Sequence, residues 1–153
     1  MTIEIREVTA EDESAWQTLY RGYRAFYELA GDPASVERTW RWVRDGEHGL
    51  LGIVALIDGE PVGLANLRWF ARPSTATIGL YLDDLFVAPA ARERGVARAL
   101  LARAAEIGRA SGASVVRWIT AADNVTARRV YDEVARATPW ITYDMAPTAP
   151  LQE

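Results

Sequence analysis

Three short stretches of this 153-residue chain hold residue types that can do chemistry together. The first runs Leu85-Phe86-Val87-Ala88-Pro89-Ala90-Ala91-Arg92-Glu93-Arg94-Gly95-Val96-Ala97-Arg98. An apolar strand breaks at Pro89, a basic turn pivots on Gly95, and an Ala/Leu/Arg helix follows. A helix start just past a strand end presents free backbone N–H groups and the positive end of a helix dipole, a seat for a pyrophosphate. Gly95 lets the backbone approach such a group closely, and Arg92 and Arg94 can add charge-assisted contacts to its oxygens. The second stretch, Asn124-Val125-Thr126-Ala127-Arg128-Arg129-Val130-Tyr131, sets a phenol two helical turns after an asparagine. A phenol can give a proton to a departing anion, although a tyrosine on an amphipathic helix serves core packing just as well. The third is Asp83-Asp84, at the end of the strand that feeds the basic turn. On a regular strand these two carboxylates face opposite sides. A bulge would bring either towards a common site, and the sequence does not choose between them.

The elements that position these stretches follow from hydrophobic periodicity. Residues 3–8 alternate as a strand. Thr9 and Asp12 form a capping-box-like helix start, and Trp16, Leu19, Tyr20, Tyr23, Phe26 and Tyr27 fall at helical spacing up to a stop at Gly31-Asp32-Pro33. A second helix over about 35–44 carries Val36, Trp40 and Val43 on one face. Leu50–Ile57 and Pro61–Phe70 read as strands joined by a tight turn at Asp58-Gly59, and 77–87 as a third partner. A helix over 95–110, a strand over 114–120, a helix over 124–135 and a last strand over 140–145 complete the chain, with 147–153 a frayed tail. The order β-α-α-β-β-β-α-β-α-β is that of one mixed α/β domain spanning residues 1–153.

Composition excludes several alternatives. With no cysteine, disulfides, thiolate metal sites and a cysteine nucleophile are out. His48 is the only histidine and sits between glycines in a loop, so histidine-based metal or triad chemistry has little to stand on. The net charge of −4 gives no electrostatic case for nucleic acid. The N-terminus lacks the form of a signal peptide, no apolar run approaches a membrane span, and a cytoplasmic protein is expected. A P-loop would need Gly-x-x-x-x-Gly-Lys-Ser/Thr, which is absent, and Gly95 stands too late and too alone for a dinucleotide fingerprint.

The pattern Arg92-x-x-Gly95-x-Ala97 resembles the Arg/Gln-x-x-Gly-x-Gly/Ala signature of the GNAT superfamily of N-acetyltransferases, and Asn124-x-x-Ala127-x-x-x-Tyr131 is similar to its Asn-x-x-Ala-x-x-x-Tyr helix. The element order matches that fold, a mixed central sheet of about six or seven strands flanked by four helices. The resemblance implies acetyl-CoA as cosubstrate, with no metal. It implies that the N–H groups of Glu93, Arg94, Gly95, Val96, Ala97 and Arg98 bind the pyrophosphate, that Asn124 and Ala127 flank the cofactor arm, and that Tyr131 acts as general acid. It also implies a main-chain N–H near Phe86 or Val87 for the oxyanion, and Asp83 or Asp84 for the proton of the attacking amine. One departure is Glu93, where family members often carry glycine.

Tyr81-Leu82-Asp83-Asp84-Leu85-Phe86-Val87 is similar to Tyr-Leu-Glu-Asp-Phe-Phe-Val of diamine and thialysine acetyltransferases. The C-terminal stretch looks closer to the histone and polyamine acetyltransferase branch, with Ala135 in place of its glycine and Trp140 in place of its phenylalanine. The implied substrate is a primary amine, a polyamine, diamine or lysine side chain. Amino-acid or antibiotic acetylation, and a non-catalytic acyl-CoA-binding regulator, are the alternatives. Tyr23, Tyr27, Trp40, Trp42, Trp69 and Phe70 fall in the region that walls the acceptor site in this family, although core packing is the more ordinary role for any one of them. Pairing of two copies through the last strand or helix is common in the superfamily, so a homodimer is within the expectation.

Overall fold

The computed structural model describes residues 1–29 and 31–148. The elements are β1 (Ile3–Glu7), α1 (Glu13–Phe26), α2 (Pro33–Asp45), β2 (Leu50–Ile57), β3 (Glu60–Arg72), β4 (Thr77–Val87), α3 (Val96–Ala110), β5 (Val116–Arg117) and α4 (Val125–Val134). The strands lie in chain order, antiparallel from β1 to β4, with β5 parallel to β4. Alternation along the strands divides the core into two layers. Ile53, Ala65, Leu67, Leu80 and Leu82 face α3, with Tyr131 of α4 packed against that layer. Val54, Leu64 and Phe86 face α1 and α2, where they meet Trp16, Leu19, Tyr20 and Trp40.

The start of α1 is held by charge. A 3₁₀ turn, Ala10–Asp12, precedes it, and Asp12 accepts from the Thr9 backbone N–H at 2.7 Å. Arg6 of β1 clamps the same carboxylate with bonds of 2.8 and 3.0 Å. This fixes α1 across the sheet with its tyrosines over the end of β4. The helix ends at Phe26, five residues short of the expected glycine stop, because Glu28 takes the left-handed conformation at φ 54. Gly31-Asp32-Pro33 instead opens α2, where Asp32 accepts from Ala34 N at 3.0 Å and Pro33 occupies the first helical turn.

The sheet has five strands among the described residues, fewer than the six or seven expected. The strand expected over 114–120 shrinks to Val116–Arg117, since the chain leaves β4 after two paired residues. The stretch 140–145 joins no ladder: with β5 so short, the sheet offers it no neighbouring strand of its own chain. Trp140, Ile141, Tyr143 and Met145 there are 77–91% exposed. The expected tail lies, beyond Thr148, outside the described residues.

Candidate active site

Between Leu82 and Val87, β4 has no partner on its β5 side, because the parallel pairing stops at Tyr81↔Arg117. A register shift occurs in the same place: Asn66 pairs with Asp84 and Leu67 with Leu82, leaving Asp83 as the bulged residue. The bulge reverses the strand's parity. Upstream, Leu80 N–H points to β5 and bonds Val115 O at 2.9 Å; downstream, Ala88 N–H points to β3 and bonds Val62 O at 2.8 Å. By alternation the Phe86 N–H also turns to β3, whereas the N–H groups of Leu85 and Val87 face the gap where the strands part. Of the two backbone donors expected from the sequence, Val87 is the one turned to open space. Phe86 contributes its ring, which packs so closely on α1 that a Cβ at Gly22 would come within 2.9 Å of it.

The two aspartates beside the bulge have different partners. Arg68 and Asn66 are two apart on β3 and so share a face, and each takes one carboxylate. Arg68 binds Asp83 through two bonds of 3.0 Å and lies 4.8 Å above the Tyr81 ring. Asn66 donates to Asp84 at 2.9 Å, and the Tyr20 and Tyr23 phenols of α1 lie close to the same carboxylate. Burial pushes the Asp84 carboxyl above the usual carboxylate range, against the opposing pull of those three groups. Burial, and then the neighbouring Asp84 charge, push the Tyr20 and Tyr23 phenols well up, so both stay neutral and able to donate.

Beyond β4, the turn places Glu93 and Gly95 in left-handed conformations, φ 64 and 82, and no side chain caps the start of α3. A Cβ on Gly95 would meet no atom within 4 Å, so open space lies beside the free helix N–H groups of Val96, Ala97 and Arg98. This opening fits a pyrophosphate. The arginines are disposed unequally. Arg92 turns back to donate to Val87 O at 3.1 Å, with its guanidinium over the rings of Phe26 and Phe86 at 5.4 and 5.8 Å. Arg98 pairs with Glu133 of α4 at 2.5 Å, and Arg94 is exposed at the turn.

On the α3 face, Tyr131 lies half-buried against Trp118, ring centroids 5.3 Å apart. Burial raises its phenol, which therefore keeps its proton through the neutral range. Asn124 is placed as the N-cap of α4, its Oδ1 accepting from Ala127 N at 3.4 Å. Both motif residues thus build the helix that carries Tyr131. Of the aromatic residues in the region that walls the site, Tyr23 stands beside Asp84, and the Tyr27 ring meets Tyr23 at a tilt with centroids 4.8 Å apart. Trp40 is instead fully buried against Trp16, Trp69 packs into the α3 layer, Trp42 meets His48, and Phe70 meets Tyr81. Asn66 and Tyr20 were not anticipated. The trace that could have found Asn66 is a lone amide within the apolar run Leu64-Ala65-Asn66-Leu67.

β4 and β5 thus part beside a helix N-terminus that no side chain caps, which leaves room for an extended ligand with a phosphate at one end. Family comparison supplies the class. The chain belongs to the acetyltransferase (GNAT) family, whose model matches residues 16–135. It is 28% identical over 147 residues to the D-amino-acid N-acetyltransferase HPA3 of Saccharomyces cerevisiae, covering 92% of this chain and 89% of that one. It is 31% identical over 99 residues to the thialysine N-epsilon-acetyltransferase of Caenorhabditis elegans, 61% of each chain. Among solved structures, AAC(6')-Iy in complex with the bisubstrate analog CoA-S-monomethyl-acetylneamine superimposes with a TM-score of 0.83 at 18% identity, over 97% of this chain and all of that one. The protein is an acetyl-CoA-dependent N-acetyltransferase. Among the described residues, no cluster of three or more His, Asp or Glu is placed to hold a metal ion, and no helix is long and apolar enough to cross a membrane.

Proposed function

We propose that the chain acetylates a primary amine on a short aliphatic arm, a diamine, polyamine or lysine-like side chain, by direct attack within a ternary complex. The observation that carries this reading is Asp84, a partly buried carboxylate beside the gap in the sheet, framed by tyrosine rings. An alkylammonium must lose a proton before it attacks, which at pH 7 costs about 4–5 kcal/mol. Asp84, raised by burial, binds the cation and accepts that proton directly or through water. Tyr20 is covered by Trp16 and Tyr23, so the ring face offered to the ammonium is that of the half-exposed Tyr27 beside Tyr23, a contact worth about 0.5–2 kcal/mol. Acetyl-CoA supplies an activated acetyl group and a thiolate leaving group. The backbone of Glu93 to Arg98 would hold its pyrophosphate, with Asn124 and Ala127 at the start of the helix flanking its arm. The Val87 N–H is turned to stabilise negative charge on the carbonyl oxygen, and Tyr131 keeps the proton that the leaving sulfur needs. With Arg68 on Asp83, Asp84 rather than Asp83 is the acceptor of the amine proton.

A second reading, acetylation of a free amino acid, is favoured by the similarity to HPA3 across most of both chains. The protein's setting in this proposal is cytoplasmic, its partner a small amine, with neither nucleic acid nor membrane involved. Two copies associate through the exposed stretch 140–145, whose unpaired backbone and four large apolar side chains suit the short open edge at β5.

The test is CoA-thiol release from acetyl-CoA with putrescine, spermidine, spermine, thialysine, lysine peptides, L- and D-amino acids and an aminoglycoside. The chain has no cysteine, so a thiol reagent reports CoA alone. Release with the diamines, polyamines or lysine peptides is expected. Release with amino acids alone would replace the first reading by the second, and acetyl-CoA binding without any release would indicate a regulator.

A further inference from the structure

Asp12 and Asn66 are the buried polar side chains among the described residues. Asp12 is accounted for by Arg6 and the capping turn of α1. Asn66 is not accounted for by the fold. It is 1% exposed in the middle of β3, between Ala65 and Leu67, which are both fully buried. Its Nδ2 donates to Asp84, and its Oδ1 is buried with no hydrogen-bond partner. A buried carbonyl without a donor is unfavourable, and an apolar residue of the same shape would avoid that penalty. What the amide provides in exchange is one N–H aimed at Asp84. Tyr23 lies close to the same carboxylate from α1, the layer that the Asn66 side chain faces, and stacks on Tyr20 at 5.5 Å.

We propose that Asn66 and Tyr23 are positioning residues that hold the Asp84 carboxylate in one orientation at the acceptor amine, Asn66 from β3 and Tyr23 from α1. This rests on the reading of Asp84 as proton acceptor given above. The groups that face Asp84 are Tyr20 and Tyr23 of α1, with Arg24 beside them, Asn66 of β3, and Asp83 of β4, itself bound by Arg68. The burial that makes Asp84 basic would also leave it protonated and useless as an acceptor. The Asn66 hydrogen bond, with the nearby Tyr23 and Tyr20 phenols, stabilises the ionised form and opposes that. Loss of either positioning residue therefore moves Asp84 further in the direction in which burial already pushes it.

The experiment follows the Asp84 carboxyl carbon by NMR in aspartate-labelled protein, with its resonance assigned by loss in Asp84→Asn. In Tyr23→Phe and in Asn66→Leu the Asp84 titration is expected to move to higher pH by about half a unit or more, a threefold or greater gain in proton affinity. With an amine that the wild type accepts, the acid limb of kcat/KM moves by the same amount, and KM for acetyl-CoA stays unchanged. Below the Asp84 titration, where the carboxyl is neutral, Asn66→Leu keeps or gains thermal stability, since it removes the orphaned carbonyl; above it the variant loses ground to wild type, whereas a residue serving only the fold would lose stability at every pH. An Asp84 titration unmoved in Tyr23→Phe, which changes one hydroxyl and no packing, overturns the proposal. Failure of every amine to turn over would count against the function proposed above, whereas the carboxyl titration decides the positioning role whether or not turnover is seen.

Discussion

Glu93 stands at φ 64, a conformation that costs a residue with a Cβ about 1–2 kcal/mol, beside the backbone that would receive a pyrophosphate. Glycine there relieves the backbone but gains unfolded-chain entropy worth roughly 0.4–1 kcal/mol, so the two effects largely offset. Glu93→Gly is expected to leave thermal stability nearly unchanged while tightening acetyl-CoA binding, because a carboxylate leaves the neighbourhood of the phosphates. Glu93→Gln separates charge from backbone: it keeps the strain and should recover most of the gain in affinity, measured by calorimetry. Equal affinity in all three proteins would remove Glu93 from the cofactor turn. Tyr131 makes a parallel case on the other face of the sheet. General acids contribute about 10²–10⁴ in rate, so Tyr131→Phe should lower kcat roughly a hundredfold and leave acetyl-CoA affinity unchanged. Since burial raises this phenol, the loss of activity at high pH should set in above the range of an ordinary tyrosine. The turn at Gly95 and the helix capped by Asn124 were legible in the sequence because their spacing is local. The different partners of Asp83 and Asp84 were not, because they depend on a bulge opposite Asn66 and on Arg68 across the ladder, both set by a strand more than ten residues away.

At the scale of elements, the periodic segments were the readable ones. The strand over 77–87 and the helix over 95–110 coincide with β4 and α3 to within a residue, since buried faces impose their own period. What could not be read is where partners run out, as β5 does, for pairing is non-local. The placement of α1 is likewise a tertiary matter, resting on Arg6, Thr9 and Asp12. The Arg6 guanidinium and the Thr9 backbone bond hold the Asp12 carboxyl below its usual range. A carboxyl lowered in the folded state adds stability that is fully present above its unfolded value, about 3.9, and is lost as pH falls through its folded value. Asp12→Asn is therefore expected to destabilise the protein by about 1–3 kcal/mol at pH 7. The gap to wild type should narrow as pH drops below about 4 in denaturant titrations. A pH-independent gap would mean that the side chain acts through shape alone. Because α1 carries Tyr20 and Tyr23, the same variant should also weaken turnover at pH 7 under conditions where it is still folded.

For the whole molecule, the arm over 140–145 is the feature least suited to a monomer. A row of four apolar side chains that remain at least three-quarters in water is an unusual surface for an isolated chain. Two large aromatic residues bury about 150–250 Å² each, so two exchanged arms and the surfaces they cover come within reach of the roughly 1,600 Å² of a standard interface. A two-fold arrangement satisfies both ends of the problem at once, since each copy has one unpaired arm and one short open edge. Edge pairing also removes the hazard of a free strand. The expectation is a dimer at micromolar concentration by light scattering. The double substitution Trp140→Ser, Ile141→Ser should give a monomer whose α1 and α3 layers still unfold cooperatively, because no described core residue lies on the arm. Near-ultraviolet dichroism, which reads Trp16 and Trp40 in the opposite layer, would report that the fold survives. A wild type that is monomeric at every concentration would leave the arm without this role. A double variant that stays dimeric would move the interface to another face.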